Sequence, residues 1–294
     1  MLSDMTIEEC RRFYSEEIRF TGDIHSPAVI DAFARVPREK FLGPGPWEVV
    51  SAETRALSVA GGMQMSYTQV DDPRDLYHNV VVVIDKSADI NNGQPSALAR
   101  WIEALDLKPG DRAYHLGGGV GYYTAILAEI VGPDGSVACS EVQPDLAVRA
   151  QKNLSGYPNV TVFAGDGATF DPGECAAMLI NAGVTHPSPL WLDRLRDGGR
   201  LVVPLTMATT PTIGFGVMAK IVRESGRFLA EMVTPLAIYS CKSMRDAQRE
   251  PRIQAAVTGG KLMKLKSVRR DAHEPSDTCL VHGDDVCVSS AAVS

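Results

Sequence analysis

Three features of the chain predict an α/β fold built on a mostly parallel, doubly wound sheet. Strand and helix patterns alternate from Arg112 onward, a glycine-rich stretch sits where the first of those strands turns into a helix, and the composition is that of a globular protein. The chain has 294 residues, 45% hydrophobic and 22% charged, which is enough to bury a large core without disulfides. Its 29 Lys+Arg against 36 Asp+Glu give a formal charge of -7, so the simplest electrostatic reason to bind nucleic acid or an anionic membrane is missing. No apolar run approaches the roughly 18 residues of a membrane helix. The charged residues from Asp4 to Glu17 exclude a signal peptide of the usual pattern. The scattered cysteines, with no CxxC pair, read as reduced thiols in a cytoplasmic protein.

In chain order, Ile7, Cys10, Phe13, Tyr14 and Ile18 predict a helix between Ser3 and Phe20, and Ser26-Pro27 starts a second that runs to about Val36. The Gly-Pro-Gly-Pro string at Gly43 to Pro46 opens an irregular stretch to about Tyr77, so residues 1–77 read as a helical and irregular region covering the substrate. The β-branched run Asn79 to Ile84 predicts a buried strand, and Asn91 to Pro95 punctuates the chain before a helix through Leu98, Trp101, Ile102 and Leu105. After the turn Lys108 to Asp111, strands are expected at Ala113 to Leu116, Ser136 to Ser140, Val160 to Phe163, Ala176 to Asn181 and Arg200 to Pro204. Helices at Tyr122 to Val131, Pro144 to Leu154 and about Leu190 to Leu195 lie between them, which implies right-handed crossovers. Two further β-rich runs, Thr212 to Val222 and Phe228 to Tyr239, joined at Glu224 to Arg227, complete a seven-stranded sheet with an antiparallel edge hairpin within residues 78–242. Residues 243–294 read as a C-terminal extension: a helix to about Val257, a basic run from Lys261 to Arg270 and an acidic end.

The strongest chemical signal is the loop Gly117-Gly118-Gly119-Val120-Gly121, where backbone amides at a helix start can approach a ligand closely. Glu141, closing the next strand, is placed to accept hydrogen bonds from ribose hydroxyls, and Asp166 in Ala164-Gly165-Asp166-Gly167 to receive an adenine amino group. A dinucleotide wants G-x-G-x-x-G. Here the third glycine comes one residue early, with Tyr122 at the late position, which favours S-adenosyl-L-methionine over NAD.

These pieces, in order, resemble the protein-L-isoaspartate O-methyltransferase family. The likeness extends over Val36-Pro37-Arg38-Glu39-Lys40-Phe41, Leu107 to Arg112, the glycine loop, Leu127 to Gly132, Asn159 to Val162 with Gly165-Asp166-Gly167, and Gly198 to Pro204. The resemblance implies a Rossmann-like class I methyltransferase fold with S-adenosyl-L-methionine in a site formed by His115, Gly117, Gly119, Gly121, Tyr122, Glu141, Asp166, Gly167 and Asn181. The substrate side departs from the family. Gly93 in Asn91-Asn92-Gly93-Gln94-Pro95 stands where the family has a serine, and His115 replaces the acid usual before the glycine loop.

The function expected is O-methylation of a carboxylate on a peptide or small metabolite other than an isoaspartyl residue. The alternatives are genuine isoaspartate methylation or a non-catalytic S-adenosyl-L-methionine-binding module. An ionised carboxylate needs only donors to hold it, for which Asn91, Asn92 and Gln94 are the candidates; a hydroxyl or amine acceptor would need a base, for which His186 is the candidate. His273, Cys279, His282 and Cys287 are of the right types for zinc, but their linear spacing matches no compact metal pattern. No metal is expected, and the tail is expected to fold back over the active site.

Overall fold

The computed structural model describes residues 4–52, 54, 65–87 and 90–293. Helix α1 (Ile7–Gly22) starts at a reciprocal cap in which Thr6 Oγ1 accepts from the Glu9 N–H and the Glu9 carboxylate accepts from the Thr6 N–H at 2.8 Å. Helix α2 (Pro27–Arg35) is capped by Ser26 with proline in its first turn, and the short α3 (Glu39–Leu42) follows. A small antiparallel sheet comes next, of order β2-β1-β3-β4, from β1 (Trp47–Val50), β2 (Tyr67–Val70), β3 (Val81–Asp85) and β4 (Ile90–Asn91). The strand expected at Asn79 to Ile84 therefore belongs to this small sheet, paired with β1 through Val49 and Val82, and the sheet draws on residues either side of position 77.

Helix α4 (Pro95–Ala104) leads into the main sheet. There β5 (Arg112–Leu116), β6 (Ser136–Glu141), β7 (Val160–Ala164) and β8 (Cys175–Ile180) alternate with α5 (Tyr122–Val131) and α6 (Pro144–Asn153). Helix α7 (Pro189–Arg194) precedes β9 (Leu195–Ala208), which continues into a meander with β10 (Ile213–Glu224) and β11 (Arg227–Tyr239). The expected seven strands lie in the order β7-β6-β5-β8-β9-β10-β11, parallel from β7 to β9. The hairpin is not the edge, however. After α8 (Glu250–Thr258), β12 (Ser267–Arg269), β13 (Cys279–Val281) and β14 (Cys287–Ser289) extend the sheet in the order β11-β12-β14-β13, with Phe228 opposite Val268. The start of β11, from Phe228 to Ala230, is thereby paired and no longer an open edge.

Alternating side chains sort the core into two layers. Ala113, Ala177, Leu179 and Val202 face the N-terminal helices with α4 and α5, whereas Tyr114, Leu116, Met178, Ile180, Leu201 and Val203 face α7, α8 and the extension. Helix α5 is apolar almost all round, so its outer face also needs cover. Phe33 of α2 supplies it, packing on Tyr122 and Tyr123. Among the described residues no helix is long and apolar enough to cross a membrane.

Candidate cofactor and acceptor site

The chain leaves β5 toward β6 and β7 on one side and returns through β8 on the other, so the strand order reverses at β5 and β8. A crevice opens outside the carboxyl ends of such strands. The glycine loop fills its floor. The N–H groups of Gly117 and Gly118 both reach Ser140 O, at 2.9 and 3.1 Å, tying the loop to β6. Gly119 is left-handed (φ +56°) and a Cβ there would point into open space. Its N–H donates to Glu141 Oε2 at 2.8 Å, while Glu141 Oε1 accepts from the Gln143 N–H at 2.9 Å. Each carboxylate oxygen thus keeps a lone pair for a further donor. Gly121 lies so close to Leu154 that any side chain would displace it.

Asp166 Oδ1 accepts from the Ala168 N–H at 2.9 Å and from Ser243 Oγ at 3.0 Å. Gly167 packs against Ser140, Tyr114 and Leu116 with no room for a Cβ. Tyr114 OH donates to Gly167 O at 2.9 Å and lies 2.7 Å from Ser140 Oγ, so this buried phenol fixes the turn carrying Asp166. Asn181, closing β8, donates from Nδ2 toward Gly117 O at 3.4 Å. Tyr114, Ser140 and Ser243, which brace the turn at Asp166, are not among the residues expected from the sequence; Ser243 carries no signal there, because only folding brings it to Asp166. Val142 stands exposed directly after Glu141.

Two expected cofactor residues occupy other places. The His115 ring is wholly buried beneath the loop, with Nδ1 2.8 Å from Thr124 Oγ1 and Nε2 unpartnered, and burial pulls its pKa down to about 4. The Tyr122 ring joins an aromatic layer with Phe33, Phe41 and Tyr14 instead of facing the crevice. In each case the backbone lies at the loop while the side chain points into the core.

On the acceptor side, Asn91 donates to Tyr239 OH at 3.0 Å and closes a turn by accepting from the Gly93 N–H at 2.9 Å. Asn92 is buried. Its Oδ1 accepts from the Val82 N–H at 2.9 Å and its Nδ2 is unpartnered. Gln94 donates to Asn79 O at 2.7 Å, so its amide anchors the segment. His186 lies apart from these residues. Its Nδ1 is 2.8 Å from Thr185 Oγ1, and its charged neighbours are Arg249, Asp246 and Asp285 of the extension. Burial, reinforced by Arg249, lowers its pKa to about 4, too weak for the general base the sequence suggested. The extension meets the site through Ser243 and through Met244, whose carbonyl accepts from Thr185 Oγ1 at 3.1 Å; further on it continues the sheet at the far edge, so the expected closure over the crevice is confined to its first residues.

A family model described as Protein-L-isoaspartate(D-aspartate) O-methyltransferase (PCMT) matches residues 64–215, more than half of the chain. The chain belongs to this family. The protein-L-isoaspartate O-methyltransferase 1 of Archaeoglobus fulgidus is 37% identical over 210 residues, 70% of this chain and 83% of its own. The protein-L-isoaspartate O-methyltransferase of Ignicoccus hospitalis is 28% identical over 235 residues, 79% of this chain and 96% of its own. A solved protein-L-isoaspartate O-methyltransferase superposes with a TM-score of 0.62 at 22% identity, covering 78% of this chain and 65% of that one. A candidate PCMT from Plasmodium falciparum, solved with S-adenosyl-L-homocysteine, gives 0.56 at 18% identity, covering 79% and 98%.

As a PCMT-family protein this chain is an S-adenosyl-L-methionine-dependent methyltransferase. The open space at Gly119, the acceptor capacity of Glu141 and the apolar face of Val142 fit an adenosine-bearing ligand. The family match ends in β10, so the extension lies outside it.

Proposed function

We propose that this enzyme methylates a carboxylate on a peptide acceptor held beside Asn92. The observation that carries this reading is the buried, unpartnered Asn92 Nδ2, on a side chain whose other end is fixed by Val82. A buried donor without a partner is costly, of order 1–3 kcal/mol, and a carboxylate oxygen would relieve it.

When bound, S-adenosyl-L-methionine supplies an activated methyl group on a sulfonium. The protein's part is to position the acceptor and exclude water. A carboxylate is ionised at neutral pH, so one oxygen can accept from Asn92 while the other attacks in line, with no proton to remove. The Asn91–Tyr239 and Gln94–Asn79 hydrogen bonds hold the segment that presents Asn92. When the cofactor is bound, Val142 and Asp166 would hold its adenine and Glu141 its ribose.

Gly93, at the position where the family carries serine, has φ +74°, and a Cβ there would lie 2.9 Å from Leu98 Cδ2. This supports an acceptor held without a hydroxyl at that point and therefore one other than an isoaspartyl residue. The names of the relatives favour the second reading, an L-isoaspartyl carboxylate. Methyl transfer to an isoaspartyl peptide, to its aspartyl isomer and to peptides bearing other free carboxylates decides between them. Base-labile methyl, released as methanol, is expected. Base-stable methyl overturns the carboxylate reading, and a strong preference for the isoaspartyl peptide establishes the second.

A further inference from the structure

Across the sheet from the crevice, the extension gathers two imidazoles and two thiols. One ligand atom each from His273, Cys279, His282 and Cys287 lies within 4.8 Å of the others. Their linear order, with gaps of five, two and four residues, hides this. The β13–β14 hairpin brings Cys279 and Cys287 together, and the chain on either side of β13 folds His273 and His282 onto them. We propose that these four side chains bind one structural Zn2+ in a closed tetrahedral Cys2His2 site.

Zinc bonds of about 2.0–2.3 Å set tetrahedral ligand atoms about 3.3–3.8 Å apart, so the observed cluster needs only a slight contraction. His273 Nε2 is already 3.5 Å from Cys279 Sγ, and the two imidazole rings meet edge to face with centroids 4.9 Å apart. The surroundings orient the ligands. His273 Nδ1 lies 2.8 Å from Asp271 O, and that carbonyl can only accept, so the Nδ1–H tautomer leaves the Nε2 lone pair facing the cluster. Cys279 Sγ accepts from the Ser276 N–H at 3.4 Å, an interaction that stabilises a thiolate. His282 Nδ1 is buried without a hydrogen-bond partner. Both cysteines are free thiols, and mixed thiolate and imidazole donors select zinc over calcium or magnesium.

The architecture supplies a reason. Strands β12, β13 and β14 have three residues each, too few to hold a sheet edge by their own pairing. Between His282 and Cys287 the chain carries Asp285, which forms an ion pair with Arg249 of the turn entering α8. Metal binding would expel one proton from each thiol and clamp that loop onto α8.

The test uses the tag-free full-length chain, loaded with zinc under reducing conditions, gel-filtered and analysed by elemental mass spectrometry. One zinc per chain is expected, with at least about tenfold lower occupancy in Cys279→Ser/Cys287→Ser while S-adenosyl-L-homocysteine binding persists. Cobalt exchanged into the wild-type chain should show the intense visible bands of tetrahedral coordination together with thiolate-to-cobalt charge transfer, a readout that needs no variant to fold. Substoichiometric zinc after loading, an octahedral cobalt spectrum, or full zinc occupancy in the double variant overturns the proposal.

Discussion

The Gly119 N–H donates to Glu141 Oε2 across 2.8 Å, joining the loop after β5 to the last residue of β6. The other oxygen of the same carboxylate accepts from the Gln143 N–H, so one side chain shapes the cradle, and the proposed ribose contact would fall on its remaining lone pairs. Replacing Glu141 with alanine is expected to weaken S-adenosyl-L-homocysteine binding by about 10- to 100-fold, the worth of one hydrogen bond to a charged acceptor. Calorimetric titration checks this, and an unchanged Kd would remove Glu141 from the cofactor site.

His115 and His186 both have pKa values pulled down to about 4 by burial. Above the unfolded-state value near 6.5 neither state is protonated, and the full stability is present. As the pH falls from about 6.5 toward 4, the unfolded chain takes up protons that the folded one refuses, so stability declines across that window and the dependence levels off below it. Thermal melts at stepped pH should show the decline, and His115→Asn should flatten it. A variant with the same acid slope as the wild type would show that His115 contributes nothing to it.

Arg38 is fully buried, and its guanidinium donates to Leu76 O at 2.5 Å, His78 O at 3.0 Å and Val80 O at 2.7 Å, with the Tyr14 ring beneath it. It fixes the approach to β3 and hence the position of Val82, on which Asn92 depends. A lysine cannot fork to three carbonyls. Arg38→Lys is expected to cost about 2–4 kcal/mol of folding free energy, measurable by urea titration. A loss below about 0.5 kcal/mol, the scatter of surface substitutions, would contradict this account.

Gly93→Ser puts a side chain at a left-handed position where its Cβ would press on Leu98. The expected cost is about 1–3 kcal/mol, from backbone strain and overpacking together. A melting temperature equal to that of the wild type would mean that the turn relaxes to admit the side chain.

The shared position of the glycine loop, Glu141 and Asp166 was legible in the chain because its signals are local. The glycine loop and Asp166 follow strands and Glu141 ends one, and strand-to-helix alternation carries them to the same sheet edge whatever the packing details. His115 and Tyr122 went astray because position in a loop does not reveal which way a side chain points. That choice fell to the Thr124 hydroxyl and to the aromatic layer built by α2 and α3. His186 sits at the right strand end, but its basicity was decided by burial and by Arg249, a residue 63 positions away in the chain.

The α/β class, the seven-strand core and the cofactor can be read from the chain alone, because periodicity and glycine spacing are properties of short segments. Three-dimensional packing was needed to show that the hairpin is not an edge, that Asn92 keeps an unpaired amide and that His273, Cys279, His282 and Cys287 converge in the extension. Each of these depends on how strands pair and turns close, which linear spacing does not encode.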